Sequence, residues 1–90
     1  MDNRTIAQNL VEIAHQLQDA KESLYRVRSY RRAAETVLAT STPIEEIVRE
    51  SGRKGLTDLP GIGSSISKAI ENLVRDGGIR KLIENSSGTN

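Results

Sequence analysis

The segment Leu-Pro-Gly-Ile-Gly at residues 59–63 constrains the fold of this chain more than any other. Pro60 disfavours a helical conformation at Leu59, so a preceding helix has to end there. Two glycines around one apolar residue allow a tight turn with exposed backbone N–H groups. A helical pattern begins at Ser64, and the first N–H groups of a helix have no intrahelical acceptor. We therefore predict that residues 59–63, called the hairpin below, bind an anion, and a nucleic-acid backbone fits best.

The spacing of apolar residues predicts helices throughout the rest of the chain. Apolar residues recur at intervals of three and four, and no stretch shows the alternation of a β-strand. Asn3 and Thr42 are predicted N-caps, and Pro43 suits the first position of a helix. The predicted helices cover residues 3–20, 24–39, 43–50 and 64–76, with single turns at 56–59 and 79–83. The chain is thus predicted to be all-α, a small bundle of four to five helices.

The composition narrows the possible functions. Ninety residues with 36% apolar content allow one domain with a modest aliphatic core, predicted at residues 1–84 before a polar tail at 85–90. The absence of cysteine excludes disulfides and thiol chemistry, and His15 has no partners for a metal site. Because the chain shows neither a membrane-spanning run nor a signal peptide, we expect no membrane partner and a cytoplasmic location, nucleoid-associated in a bacterium.

The net charge of +1 hides a basic segment. Residues 21–32 contain five basic residues and one acidic residue. The basic residues are Lys21, Arg26, Arg28, Arg31 and Arg32. Such a cluster is typical of a nucleic-acid interface, although it is also typical of a solvated helix face.

The hairpin supplies donors of several kinds. Ile62 is expected to turn towards the core, which leaves the N–H groups of the flanking glycines exposed. Serine hydroxyls and one lysine follow within the first turn of the next helix. The predicted phosphate-binding residues of this segment are Gly61, Gly63, Ser64, Ser65 and Lys68. None of these groups is placed to read a base edge, so binding is expected to be independent of sequence. The alternative is a plain turn between two helices.

Two segments resemble known motifs. Residues 59–73 resemble the helix-hairpin-helix motif of DNA-binding proteins. Residues 25–34, which read Tyr-Arg-Val-Arg-Ser-Tyr-Arg-Arg-Ala-Ala, resemble the second helix of the N-terminal domain of family X DNA polymerases, in particular the bacterial members. Residues 3–17 and 78–82 also fit, so the resemblance covers nearly the whole chain. It implies a monomeric helical module of DNA repair or replication that binds gapped or nicked DNA near a 5′-phosphate.

The resemblance also implies roles for individual residues. The 5′-phosphate pocket of the family corresponds here to Arg26, Tyr30 and Arg31, and Lys81 matches a family lysine beyond the hairpin. In the family, backbone carbonyls of the hairpin hold a monovalent cation, Na⁺ or K⁺, that bridges to a DNA phosphate. Those carbonyls belong here to Thr57, Leu59 and Ile62. No other cofactor is expected.

The chain departs from the family at the residues that carry enzymatic chemistry. Repair members of the family form a Schiff base with an abasic sugar through a lysine whose position is Ala69 here. The lysines of the lyase pocket are also absent at Ser65 and Thr57. The carboxylates and palm domain of a polymerase have no counterpart in these residues. We therefore expect a non-enzymatic module that binds gapped, nicked, single-stranded or duplex DNA. The alternatives are a 5′-deoxyribose-phosphate lyase that uses Lys68 or another lysine, the N-terminal part of a polymerase, and a protein-interaction domain.

Overall fold

The computed structural model describes residues 1–77, and this part of the chain contains four α-helices and no strand. The helices are α1 (Asn3–Asp19), α2 (Leu24–Ala39), α3 (Ile44–Thr57) and α4 (Ser64–Asp76). The predicted all-α bundle is confirmed, and α2 and α4 have the predicted bounds. The predicted turn at 79–83 and the polar tail at 85–90 lie outside the described residues.

The core is aliphatic and joins all four helices. α1 packs along α2, α3 packs on α4, and α1 also touches α4. Tyr30 provides the one aromatic ring of the core. Leu38 is 61% exposed although it is apolar, because the neighbouring Val37 occupies the inward position about 100° away. The buried hydrophobic residues are Ile6, Ala7, Leu10, Ala14, Val27, Tyr30, Ala33, Ala34, Val37, Ile44, Leu56, Ile62, Ile66, Ile70 and Leu73.

The start of α1 differs from the prediction. Asp2, not Asn3, is the N-cap, and its side chain accepts a hydrogen bond from the Thr5 N–H at 2.8 Å. This backbone hydrogen bond holds the pKa of the Asp2 carboxyl below its ordinary value. The Asn3 amide instead reaches the connection between α2 and α3: it donates to the Thr42 carbonyl at 3.0 Å and accepts from the Ile44 N–H at 2.7 Å. Asn3 therefore ties α1 to the start of α3.

The start of α3 also differs from the prediction. Pro43 is the N-cap and not the first helical residue, and neither Pro43 nor Thr42 caps the helix with its side chain. The predicted capping by Thr42 is thus wrong. Because Asn3 already accepts from the Ile44 N–H, one of the orphan donors of α3 is satisfied by a distant residue.

The third helix is longer than predicted and contains a kink. Gly52 adopts φ 61° and ψ −149°, which is not helical, so residues 44–51 and 53–57 form two helical segments. The predicted end near residue 50 is close to this kink. Residues 53–55, which lie outside the predicted helices, instead form one helical segment with the first residues of the predicted turn at 56–59, and this segment leads into the hairpin.

Candidate nucleic-acid interface

The hairpin is a tight turn anchored by one buried side chain. Ile62 is 3% exposed, which confirms its predicted inward position, and its N–H donates to the Leu59 carbonyl at 3.2 Å. Gly61 adopts φ +76°, in the left-handed region that a residue with a Cβ rarely enters. A glycine is therefore required at position 61 for the turn itself.

The backbone donors predicted to bind phosphate have no acceptor within the described residues. No hydrogen bond of residues 1–77 involves the N–H groups of Gly61, Gly63, Ser64 or Ser65. Gly63 is the N-cap of α4 and offers no side chain to cap the helix. These exposed N–H groups, at the positive end of the α4 dipole, are available to an anion.

Helix α2 holds the hairpin in place through two side chains. The Thr36 hydroxyl donates to the Pro60 carbonyl at 2.8 Å. The Arg32 side chain lies across Gly61, so that a Cβ at Gly61 would be only 2.7 Å from Arg32 Nε. Arg32 was not predicted as a site residue. The available signals were its place in the basic segment and its spacing of four residues from Thr36, which places both on one face of α2.

A cleft of about 290 Å³ lies between the first turns of α2 and the hairpin. It brings together six predicted site residues from the two motifs, and no acidic residue lines it. Tyr25 and Ser29 were not predicted, although they belong to the basic segment. The lining residues are Tyr25, Arg26, Ser29, Tyr30, Gly61, Gly63, Ser64, Ser65 and Ile66.

The α2 wall of the cleft combines a cation with two tyrosines. Arg26 Nη1 lies 3.3 Å from Glu22 Oε1, and both side chains are about half exposed. Such an exposed ion pair contributes little to the stability of the fold, so Arg26 can leave Glu22 to bind a phosphate. Tyr30 is 7% exposed, yet its hydroxyl has no hydrogen-bond partner within residues 1–77 and is not closed off from solvent. Tyr25 is 79% exposed and offers a flat aromatic face.

Among the predicted phosphate-binding residues that the structure describes, Arg31 and Lys68 do not line the cleft. Arg31 Nη2 donates to Gln18 Oε1 at 3.0 Å, which directs Arg31 to the end of α1. Lys68 lies on the exposed face of α4, one turn after Ser64. Lys81 lies outside the described residues. A further cation, Arg53, was not predicted here, and its Nη2 donates to the Ser64 hydroxyl at 3.2 Å.

Each of the three carbonyls predicted to hold a cation keeps at least one lone pair that no hydrogen bond of the described residues uses. The carbonyls of Thr57 and Ile62 accept no hydrogen bond from the described residues. The Leu59 carbonyl accepts one from the Ile62 N–H and keeps a second lone pair. Within residues 1–77, no group of three or more His, Cys, Asp or Glu side chains could hold a metal ion. Neutral carbonyl oxygens are hard ligands of the kind that hard cations prefer.

The fold and this interface define a small all-α module whose main-chain N–H groups at Gly61, Gly63, Ser64 and Ser65 have no acceptor within residues 1–77. Residues 1–79 match the helix-hairpin-helix domain family, so the chain belongs to that family. Helix-hairpin-helix domains generally bind DNA without sequence specificity, in agreement with the donors found here. No curated protein matches the sequence. Within residues 1–77, none of the helices has the length and apolar character needed to cross a membrane.

Proposed function

We propose that this domain binds gapped or nicked DNA and holds a 5′-phosphate in the cleft between α2 and the hairpin, as the resemblance to family X polymerases implies. The observation that carries the proposal is the cleft itself, which Arg26 and Tyr30 line together with the four residues that have free N–H groups. These four are Gly61, Gly63, Ser64 and Ser65. A terminal phosphate carries about 1.5–2 negative charges, more than the single charge of an internal phosphodiester. A site with a guanidinium and several N–H donors therefore favours a DNA end.

A gap also offers an unpaired base, for which Tyr25 is suited. Its ring is exposed beside the phosphate-binding groups. Stacking of a base on an aromatic ring tolerates every sequence, because each base has a π-face. Duplex DNA keeps its bases stacked on each other, so this contact favours a gap over an intact duplex.

A monovalent cation at the hairpin completes the proposed site. The carbonyls of Thr57, Leu59 and Ile62 would hold Na⁺ or K⁺. When bound, the cation supplies a positive charge next to the DNA backbone. Affinity for DNA is then expected to differ between Na⁺, K⁺ and a large organic cation at equal ionic strength.

The proposed role is binding and not catalysis, carried out by a monomer that acts in DNA repair or replication in the cytoplasm or nucleoid. Ala69, at the position of the lyase lysine, packs against the core and cannot form a Schiff base. Lys68 is exposed next to it but lies about 100° further round the helix. Borohydride trapping on an abasic substrate separates the two functions, because a covalent adduct at Lys68 would establish the lyase.

The proposal is tested by fluorescence anisotropy with a gapped duplex, with and without a 5′-phosphate. We expect tighter binding of the phosphorylated gap, and we expect Arg26→Gln to remove that preference. Arg28→Gln is the matched control, because Arg28 is exposed on the same helix but does not line the cleft. Equal affinity of the unmodified chain for both gaps would contradict the proposal.

A further inference from the structure

A second basic group lies at the start of α4, on the side of the hairpin that carries α3. Arg53 Nη2 donates to the Ser64 hydroxyl at 3.2 Å and to the Ser64 carbonyl at 3.4 Å. Lys68 follows Ser64 by one helical turn on the same exposed face. Neither Arg53 nor Lys68 lines the cleft. The hairpin is therefore flanked by cations on two sides, α2 on one and α3 on the other.

The position of Arg53 is set by the backbone at Gly52. With φ +61°, Gly52 turns the chain between residues 44–51 and 53–57, so that Arg53 begins a new helical segment beside α4. No atom lies within 4 Å of the place where a Gly52 Cβ would be. The glycine is thus required by its conformation and not by packing.

The contact between Arg53 and Ser64 leaves most of the guanidinium free. No ion pair of residues 1–77 involves Arg53, and its Nε and Nη1 have no acceptor in that part of the chain. The Ser64 carbonyl already accepts from the Ser67 hydroxyl at 2.7 Å, so it does not depend on Arg53. An exposed guanidinium with unused donors beside a helix start has the chemistry of a phosphate ligand.

We propose that Arg53, together with Ser64 and Lys68, binds a second phosphate of the same DNA. The region around the hairpin then contacts two phosphates. The phosphate bound by Arg53, Ser64 and Lys68 is an internal phosphodiester of either a gapped or an intact duplex. This inference extends the proposed function, on which it rests for the first phosphate. Because every DNA has internal phosphodiesters, Arg53 contributes to affinity in general and not to the preference for a 5′-phosphate.

The test compares Arg53→Gln with Lys54→Gln. Both substitutions remove one positive charge from neighbouring exposed positions, but only Arg53 contacts Ser64. Loss of one phosphate contact lowers affinity for B-DNA about eightfold at 0.1 M salt and reduces the salt slope by about one. We expect both effects for Arg53→Gln on an intact duplex and on a gapped one, and an unchanged salt slope for Lys54→Gln. Arg53→Lys, which keeps the charge but loses the planar fork, is expected to bind with intermediate affinity.

Three results would overturn the second phosphate site. Equal losses of DNA affinity in Arg53→Gln and Lys54→Gln would show that only the total positive charge matters. Loss of the 5′-phosphate preference in Arg53→Gln would place Arg53 in the cleft site. Unchanged duplex affinity in Arg53→Gln, with an unchanged melting temperature, would show no contact. If the unmodified chain lacks the 5′-phosphate preference but Arg53→Gln still weakens duplex binding, the second site is supported and the cleft proposal alone fails.

Discussion

Replacement of Gly63 by aspartate separates the two roles of the α4 N-terminus, which are folding and anion binding. Gly63 is the N-cap, with φ −94° and ψ −172°, a conformation that any residue adopts. No atom lies within 4 Å of a Cβ built there. Gly61 is unsuitable for this test, because its φ of +76° and its contact with Arg32 would strain any side chain. Gly63→Asp therefore adds a carboxylate at the start of the helix without a steric conflict.

We expect Gly63→Asp to stabilise the fold. An aspartate cap is better than glycine by a few tenths of a kcal/mol. Replacement of a glycine at a compatible position adds about 0.4–1 kcal/mol, because the unfolded chain loses conformational freedom. A negative charge at a helix N-terminus contributes a further 0.3–1 kcal/mol, roughly. A gain of about 1 kcal/mol in the free energy of unfolding raises the Tm of a domain of this size by roughly 4–8 °C.

The same substitution is expected to impair DNA binding. The aspartate side chain would accept from the N–H groups that the proposed site offers to phosphate. Its charge would also repel a phosphate about 4 Å away by roughly 1–4 kcal/mol, depending on how far solvent screens the pair. These energies correspond to about a 5- to 900-fold loss of affinity at 25 °C.

The assay pairs thermal unfolding with fluorescence anisotropy on one set of variants. Gly63→Ala adds a Cβ without a cap, and Gly63→Asn adds a cap without a charge. We expect Gly63→Ala to bind nearly as the unmodified chain does, Gly63→Asn to bind more weakly, and Gly63→Asp to bind least. A more stable Gly63→Asp that binds DNA as tightly as Gly63→Ala would refute the role of the backbone N–H groups.

Three further predictions concern the fold that presents the site. Asn3→Ala removes the acceptor of the Ile44 N–H and the donor to the Thr42 carbonyl, and should lower the free energy of unfolding by about 1–3 kcal/mol in urea denaturation; an unchanged free energy would contradict the tie between α1 and α3. Ile62→Ala should cost about 2–5 kcal/mol in the same assay, because Ile62 is buried under the hairpin; a cost below 1 kcal/mol would contradict its anchoring role. Because the Thr5 N–H lowers the pKa of Asp2, the stabilisation by Asp2 is fully present above its unfolded pKa and is lost as the pH falls through its folded pKa, below about pH 4. Thermal melts between pH 2 and 6 should show this loss, and Asp2→Asn should reduce it.

The parts of the fold that were predictable from the sequence are those set by local patterns. Helix α4 has its predicted bounds because a strong apolar period precedes Gly77, which adopts φ 81° and caps the helix. The inward position of Ile62 was predictable because it is the one apolar side chain between two glycines, which have no side chain to bury. The free main-chain N–H groups at the hairpin were also predictable, because the glycines and the helix start are recognisable in the sequence.

The parts that were not predictable depend on contacts between distant residues. Asn3 was expected to cap its own helix, but its amide is used 41 residues away at Ile44. Arg31 and Arg32 are adjacent in sequence, and only the packing of α2 decides which one reaches the hairpin. The approach of Arg53 to α4 depends on a positive φ at Gly52, which a glycine permits but does not require.

The central claim is that the free N–H groups of Gly61, Gly63, Ser64 and Ser65 bind a DNA phosphate. The most direct measurement is a titration of the ¹⁵N-labelled chain with a short gapped duplex that carries a 5′-phosphate, followed through the backbone N–H resonances. We predict that Gly61, Gly63, Ser64 and Ser65 shift first and most, and that these shifts shrink when the 5′-phosphate is omitted. Saturating binding that leaves these four resonances in place, while others move, would contradict the claim.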